Sequence, residues 1–219
     1  MSVNSTMNAK ASSFKIYSDS IHSEGKNIFD KISGAFTDLS NLNTNSGWKG
    51  TRYDDVVDAF NKMVADFNSM IKDVEETIPN SLQNAAKIID SYSPDPAGFT
   101  ATTYASSSIS EISKSNTNSL VFAESQVLEA RRTIKEKFNS ALDSIDKVET
   151  TFNSMESQGV WSGDAFINWK GKIGKYKKAT HTALDTLITD FAACMKQAKD
   201  DFETMQTNIN KSLSVTSGE

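Results

Sequence analysis

Residues 127–155 read VLEARRTIKEKFNSALDSIDKVETTFNSM. Val127, Ile134, Phe138, Ala141, Ile145, Val148, Phe152 and Met155 form an apolar stripe with Arg131 as its polar member. The steps alternate between four and three, the spacing that keeps side chains on one face of an α-helix. A strand would alternate every second residue, and no such alternation is present. The stretch therefore predicts a long amphipathic helix.

Reading toward the C-terminus, Glu156-Ser157-Gln158-Gly159 ends this stripe, and Val160-Trp161-Ser162-Gly163 leads into another. The new stripe is Phe166, Trp169, Ile173, Tyr176, Thr180, Leu184, Leu187, Phe191, Met195, Ala198, Phe202, Met205, Ile209 and Leu213. Trp169 fits it as a core residue. Gly171 and Gly174 weaken its first turns by about 1 kcal/mol each relative to Ala.

Reading toward the N-terminus, residues 99–118 are rich in Ser and Thr and predict a linker with weak internal structure. Before it, Ser93-Pro94-Asp95-Pro96-Ala97-Gly98 terminates a stripe that runs Tyr53, Val56, Phe60, Met63, Phe67, Ile71, Val74, Ile78, Leu82, Ala85, Ile89, Tyr92. Thr51 is placed to cap it, with Asp54 and Asp55 in the first turn. Pro79 lies inside it and predicts a kink. The first stripe, Phe14, Tyr17, Ile21, Ile28, Ile32, Ala35, Leu39, Leu42, has a gap between Ile21 and Ile28 and stops at Asn43-Thr44-Asn45-Ser46-Gly47. The ten residues before it read as a loose tail.

Composition agrees with helix. The chain has 219 residues with 10 Gly and only 3 Pro, too little punctuation for a many-turned β protein. Hydrophobic residues make up 37 % and charged residues 23 %, which argues against wholesale disorder. No stretch has the apolar length of a membrane span, and no apolar h-region follows the polar N-terminus, so no Sec-type signal peptide is expected. A net charge of −5 offers no electrostatic reason to bind nucleic acid. The single cysteine, Cys194, excludes an internal disulfide.

Helix, tight turn, helix, linker, helix, tight turn, helix is a duplicated hairpin. The expected fold is all-α: two helix-turn-helix hairpins, each unable to cover its apolar stripes alone, packed antiparallel as a four-helix bundle. The first hairpin would span residues 1–92 with its turn at 43–51, the linker 93–118, and the second hairpin 119–219 with its turn at 156–164. A helix of about 40 residues is about 60 Å long. A linker of about 25 residues reaches at most about 80 Å. That reach suits antiparallel hairpins, whereas parallel ones would need only a short connection.

The two turns share their composition. Ser46-Gly47-Trp48-Lys49-Gly50 and Gly159-Val160-Trp161-Ser162-Gly163 each carry Trp-x-Gly, and an aromatic follows each Trp five residues on, Tyr53 and Phe166. Gly suits a backbone that reverses direction, and Trp buries more area than any other side chain at the open end of a hairpin. Trp169-Lys170-Gly171 is a third match. On these residues the chain resembles, over nearly its whole length and as two tandem copies, the WXG family of small helical proteins. Those proteins are exported by type VII secretion systems of Gram-positive bacteria and mycobacteria.

The resemblance implies a non-enzymatic, virulence-associated interaction protein. It would be a small exported substrate, or a co-exported partner or chaperone, that docks by helical recognition on the secretion ATPase or on an effector. It would be cytoplasmic before export and secreted without a Sec signal. Trp48, Gly50, Trp161 and Gly163 would be plugs of the bundle and part of the docking surface. Family members usually carry Tyr-x-x-x-Asp/Glu after the second helix of a hairpin; neither hairpin here does, since Tyr92 is followed by Asp95 at three residues rather than four and no tyrosine lies near Leu213. The alternatives are a membrane-active helical bundle and a generic helical scaffold. Internal pairing of the hairpins implies a monomer, and exchange across chains a swapped dimer.

Other constellations carry less. Lys170, Lys172, Lys175, Lys177 and Lys178 form a basic cluster beside Tyr176 that would suit a phosphate, a membrane surface or an acidic partner, but the positions scatter around the helix and read more simply as a solvated face. Glu75-Glu76 and Asp54-Asp55 are helix neighbours that point apart and read as solubility charges. Cys194 has no identifiable base to make it a nucleophile. His22 and His181 lie far apart. No metal motif, phosphate loop or cofactor signature appears, and no cofactor is expected.

Overall fold

The computed structural model describes residues 11–115 and 120–216, apart from the side chains of 214–216. Helix dominates: α1 (Ala11–Thr44), α2 (Thr51–Asn61), α3 (Val64–Lys72), α4 (Ile78–Ser91), α5 (Glu124–Ser157) and α6 (Asp164–Thr216). Two strands of two residues each, β1 (Trp48–Lys49) and β2 (Val121–Phe122), pair antiparallel. The expected loose tail lies outside the described residues, as do 116–119 of the expected linker.

The chain divides into two compact units, each built from parts of several helices. The first comprises Met1–Ile32, Ala65–Ile109 and Phe138–His181; the second comprises Ser33–Val64, Ser110–Lys137 and Thr182–Glu219. In the first unit α1 runs antiparallel to α3 and α4. The hydroxyl of Ser18 donates to the Pro79 carbonyl at 2.9 Å, and one turn later His22 Nδ1–H donates to the Glu75 carbonyl at 2.7 Å. α5 and α6 are antiparallel too, with Lys170–Glu156 at 2.6 Å and Lys177–Glu149 at 3.1 Å. Phe14, Ile21, Ile28, Ile71, Val74, Phe138, Phe152, Phe166 and Ile173 are buried in this unit. Each such side chain contributes about 1.5–3 kcal/mol by leaving water.

In the second unit, the Phe36 and Phe60 rings meet edge to face at 5.1 Å, and the Tyr53 hydroxyl donates to the Leu39 carbonyl at 3.4 Å. Lys137 pairs with Asp38 at 2.7 Å, Arg52 with Asp201 at 3.1 Å and Lys199 with Glu124 at 3.1 Å.

The expected kink at Pro79 takes another form. A π-helical turn, Asp73–Thr77, runs straight into α4, and Pro79 sits in the first turn of α4. The gap in the first apolar stripe lies against this wide turn. Gly25 is buried there, and a Cβ on it would stand 2.9 Å from the backbone nitrogen of Glu75. A stripe residue larger than glycine would hold the two helices apart.

Over its described residues, 99–115, the Ser/Thr-rich segment lacks regular secondary structure but is not loose. Within the first unit it lies extended along α3 and α4, held by side chains that bind its main chain. Asn68 donates to the Ile109 carbonyl at 3.0 Å and accepts from its N–H at 2.7 Å. Asn80 grips Tyr104 in the same two-bonded way, at 2.9 and 2.8 Å. Gln83 accepts from Thr102 N–H at 3.1 Å, and the Asp90 carboxylate accepts from Ala97 and Phe99 N–H at 3.0 and 2.7 Å. Glu75 accepts from Ser107 N–H, and Glu76 from the Ser106 hydroxyl at 2.7 Å. The second unit has its own rungs: Asn61 on both main-chain groups of Ile112 at 2.9 and 2.8 Å, and Asp54 on Ser115 N–H at 2.7 Å. The expectation that Glu75, Glu76 and Asp54 are solvated charges is corrected: they are acceptors for a neighbouring chain segment, and Glu75 is fully buried.

Two further corrections concern α6. Trp169 is only half-buried, with the Lys172 ammonium 5.0 Å from its ring centroid, so it is not a core residue. As far as Ala198 the apolar stripe is buried apart from the half-buried Trp169, Tyr176 and Met195, after which Met205, Ile209 and Leu213 are 36, 49 and 63 % exposed. Packing covers only part of what the periodicity marks as apolar.

Candidate functional site: the two Trp-x-Gly turns

The first turn belongs to the second unit. α1 ends with Gly47 N–H bonded to the Leu42 carbonyl at 2.7 Å, a backward bond that satisfies a terminal carbonyl of the helix. The chain then enters β1, where Trp48 stands opposite Phe122 and Lys49 opposite Val121. Ala123 N–H donates to the Gly47 carbonyl at 2.7 Å and extends this contact by one rung. Gly50 follows with φ 107° and caps α2, its carbonyl accepting from Asp54 N–H at 3.1 Å. An L-residue is strained at that φ, which accounts for glycine here.

Trp48 is fully buried. Its ring meets Phe191 at 5.4 Å, Phe122 at 6.0 Å and Tyr53 at 6.1 Å, each edge to face. This geometry places the positive ring edge against a π face. Among the described residues its Nε1–H has no hydrogen-bond partner. Burial, and then the charge of Asp54, push the Tyr53 phenol up to about 12.

The second turn belongs to the first unit and repeats the local design with its Trp less deeply buried. α5 ends with Val160 N–H on the Met155 carbonyl at 2.9 Å. Gly163 has φ 104° and takes Ile167 N–H on its carbonyl at 3.0 Å, as Gly50 takes Asp54. Trp161 is half-buried and rests on Phe166 at 5.5 Å and Phe152 at 6.3 Å. Phe166 is buried, in the same place relative to its Trp as Tyr53. A Cβ on Gly163 would meet nothing within 4 Å, so backbone angle and not space demands glycine there.

The basic cluster is largely engaged. Lys170 pairs with Glu156 at 2.6 Å, Lys172 with Asp73, and Lys177 with Asp146 at 2.7 Å and Glu149 at 3.1 Å. The Tyr176 hydroxyl also donates to Asp73, and burial followed by that carboxylate raises its phenol above the ordinary value. Lys175 and Lys178 are exposed and make no salt bridge among the described residues. The cluster joins helices more than it presents charge.

Cys194 is partly buried, and burial, then Asp55 and Asp190, push its thiol up, away from the thiolate a nucleophile needs. His181 is exposed. Among the described residues no group of three or more His, Cys, Asp or Glu side chains could hold a metal ion, and no helix is long and apolar enough to cross a membrane.

The polar rungs that hold the extended segment went unread in the sequence. Asp54, Asn61, Asn68 and Glu75 each follow an apolar stripe residue, at a period of seven. Attention to apolar periodicity alone passes over such a row. Compared with known proteins, the chain matches no family model, no curated protein and no solved structure.

Proposed function

We propose that the chain is a non-enzymatic helical interaction protein of a type VII secretion system, a tandem relative of the WXG family that travels as an exported substrate or as the co-exported partner of an effector. The observation that carries this reading is the paired turn. Two Trp-x-Gly sequences each join one helix to the next, and each has its glycine at a φ near +105° at the start of the second helix. A helical hairpin with that turn is the family's unit, and two in one chain would replace its usual pair of chains.

In this reading the hairpins form an antiparallel four-helix bundle. Within the first unit Tyr17 reaches Gln158 and Glu24 reaches Lys147, while Thr180 reaches Met70 and Tyr176 reaches Asp73. Residue numbers run in opposite senses in each helix pair so joined, which supports this packing. Trp161, half-buried where Trp48 is fully enclosed, is the better docking element of the two turns. The buried Trp48 is the plug. Because neither hairpin carries Tyr-x-x-x-Asp/Glu, the export signal is assigned to a partner that binds before export.

The test is export itself. The chain is expressed in a Gram-positive host with and without the membrane-bound secretion ATPase, together with its neighbouring gene products. Appearance in the medium only when the ATPase is present is the expected result. Retention in the cell in every combination, with the protein folded, removes the reading.

A further inference from the structure

We infer that the polar face of α3 and α4 is a binding site for an extended peptide main chain, and that residues 97–109 are its resident ligand. The site lies wholly within the first unit and stands independently of the export reading.

The recognition is of main chain. Asn68 and Asn80 each offer one donor and one acceptor to a single residue of the segment, Ile109 and Tyr104. That is the two-bond grip a neighbouring β-strand exerts on a residue, here delivered by amide side chains from a helix. Gln83, Glu75 and Asp90 add acceptors for Thr102, Ser107, Ala97 and Phe99 N–H.

Geometry lets the two elements keep step. Along the helix, rungs Asn68 and Glu75 are seven residues apart, about 10 Å of helical rise. Their partners Ile109 and Ser107 are two residues apart in a chain that rises about 3.3 Å per residue, so the rungs drift from perfect register. The drift is taken up at the π-helical turn, where the helix holds extra residues per turn and two consecutive carboxylates, Glu75 and Glu76, serve Ser107 and Ser106. Beyond it Asn80 and Gln83 resume on Tyr104 and Thr102.

Side-chain demands on the ligand are few. Ile109 is buried, and Tyr104 stacks on His22 at 4.2 Å while its hydroxyl donates to Asp19. Thr100, Thr102, Thr103, Ala105 and Ser108 are exposed. The ligand class is therefore an extended peptide with an aromatic and, five residues later, an aliphatic anchor, small polar residues being tolerated between. Ordering so many backbone residues against so few buried side chains leaves the resident segment exchangeable.

The test uses the full chain with Tyr104→Ser and Ile109→Ser, which removes both anchors of the resident segment, and a fluorescein-labelled peptide of residues 97–109 read by anisotropy. Saturable binding is expected, at least tenfold tighter than to the unmodified chain, and lost when Asn68→Ala and Asn80→Ala are added. Absence of saturable binding to a chain whose helical circular dichroism is intact overturns the proposal. Should the anchor variant not fold, hydrogen exchange on Asn68→Ala with Asn80→Ala decides. Tenfold faster exchange at the Tyr104 and Ile109 amides, with α3 and α4 unchanged, supports the site; unchanged exchange there overturns it.

Discussion

His22 donates its Nδ1–H to the main-chain carbonyl of Glu75 at 2.7 Å, the carbonyl four residues before Pro79. Proline has no N–H to return to that oxygen, and its ring crowds the same carbonyl. The π-helical turn gives the ring room, and a side chain from α1 supplies the donor. Because a carbonyl only accepts, the bond also sets the tautomer: the proton sits on Nδ1. The same imidazole stacks on Tyr104.

His22→Ala is therefore expected to destabilise the protein by about 1–3 kcal/mol, the usual cost of leaving a shielded polar group unpaired. Urea unfolding followed by circular dichroism measures it. A His181→Ala control, at an exposed position, should change stability by less than about 0.5 kcal/mol. Equal effects from both would mean that the Glu75 bond contributes nothing.

The two tryptophans separate stability from docking. Trp48→Ala empties a site with three aromatic neighbours and should cost about 3–5 kcal/mol. Trp161→Ala removes a half-buried ring and should cost less, about 1–2 kcal/mol. The proposed function adds that Trp161→Ala loses partner binding or export while remaining folded. A Trp161 variant with normal export and a Trp48 variant with unchanged unfolding midpoint would both count against this division.

Acid should loosen the resident segment from the end near Asp90. N–H groups of Phe99, and then of Ala97 and Gly98, hold the Asp90 carboxyl below its ordinary value, against a smaller opposing effect of burial. A carboxyl depressed by folding contributes stability above its ordinary value of 3.8, and loses it as pH falls through the lower folded value. Protection of the Phe99 amide, the slowing of its exchange relative to the unstructured chain at the same pH, should thus fall below pH 4 in the native chain. In Asp90→Asn it should be lower at neutral pH and should lack the acid-dependent step. A native chain whose Phe99 protection shows no such step would refute the assignment.

How far the sequence could be read varies from element to element. α5 follows the spacing of Val127 through Met155, because a stripe at alternating steps of three and four is a property of one helix and needs no partner to be recognised. The turn glycines were legible for a similar reason: a positive φ is a local demand, met at Gly50 and Gly163 alike. Trp48 and Trp161 looked equivalent because their flanking residues are. What distinguishes them is Phe122 and Phe191, which close over Trp48 from far along the chain.

The polar ladder was the least legible part. Asn61, Asn68, Asn80 and Glu75 have the composition of an ordinary wet helix face, and residues 99–115 have that of an ordinary linker. By itself the sequence determined the helical class, the apolar face of each helix and the places where the chain turns, since periodicity and backbone strain act over a few residues. The tertiary structure alone decided which tryptophan is buried, how Pro79 is accommodated and what the polar face of α3 and α4 holds. Those outcomes depend on hydrogen bonds and ring contacts between residues dozens of positions apart, and a partner at that distance leaves no mark on local spacing.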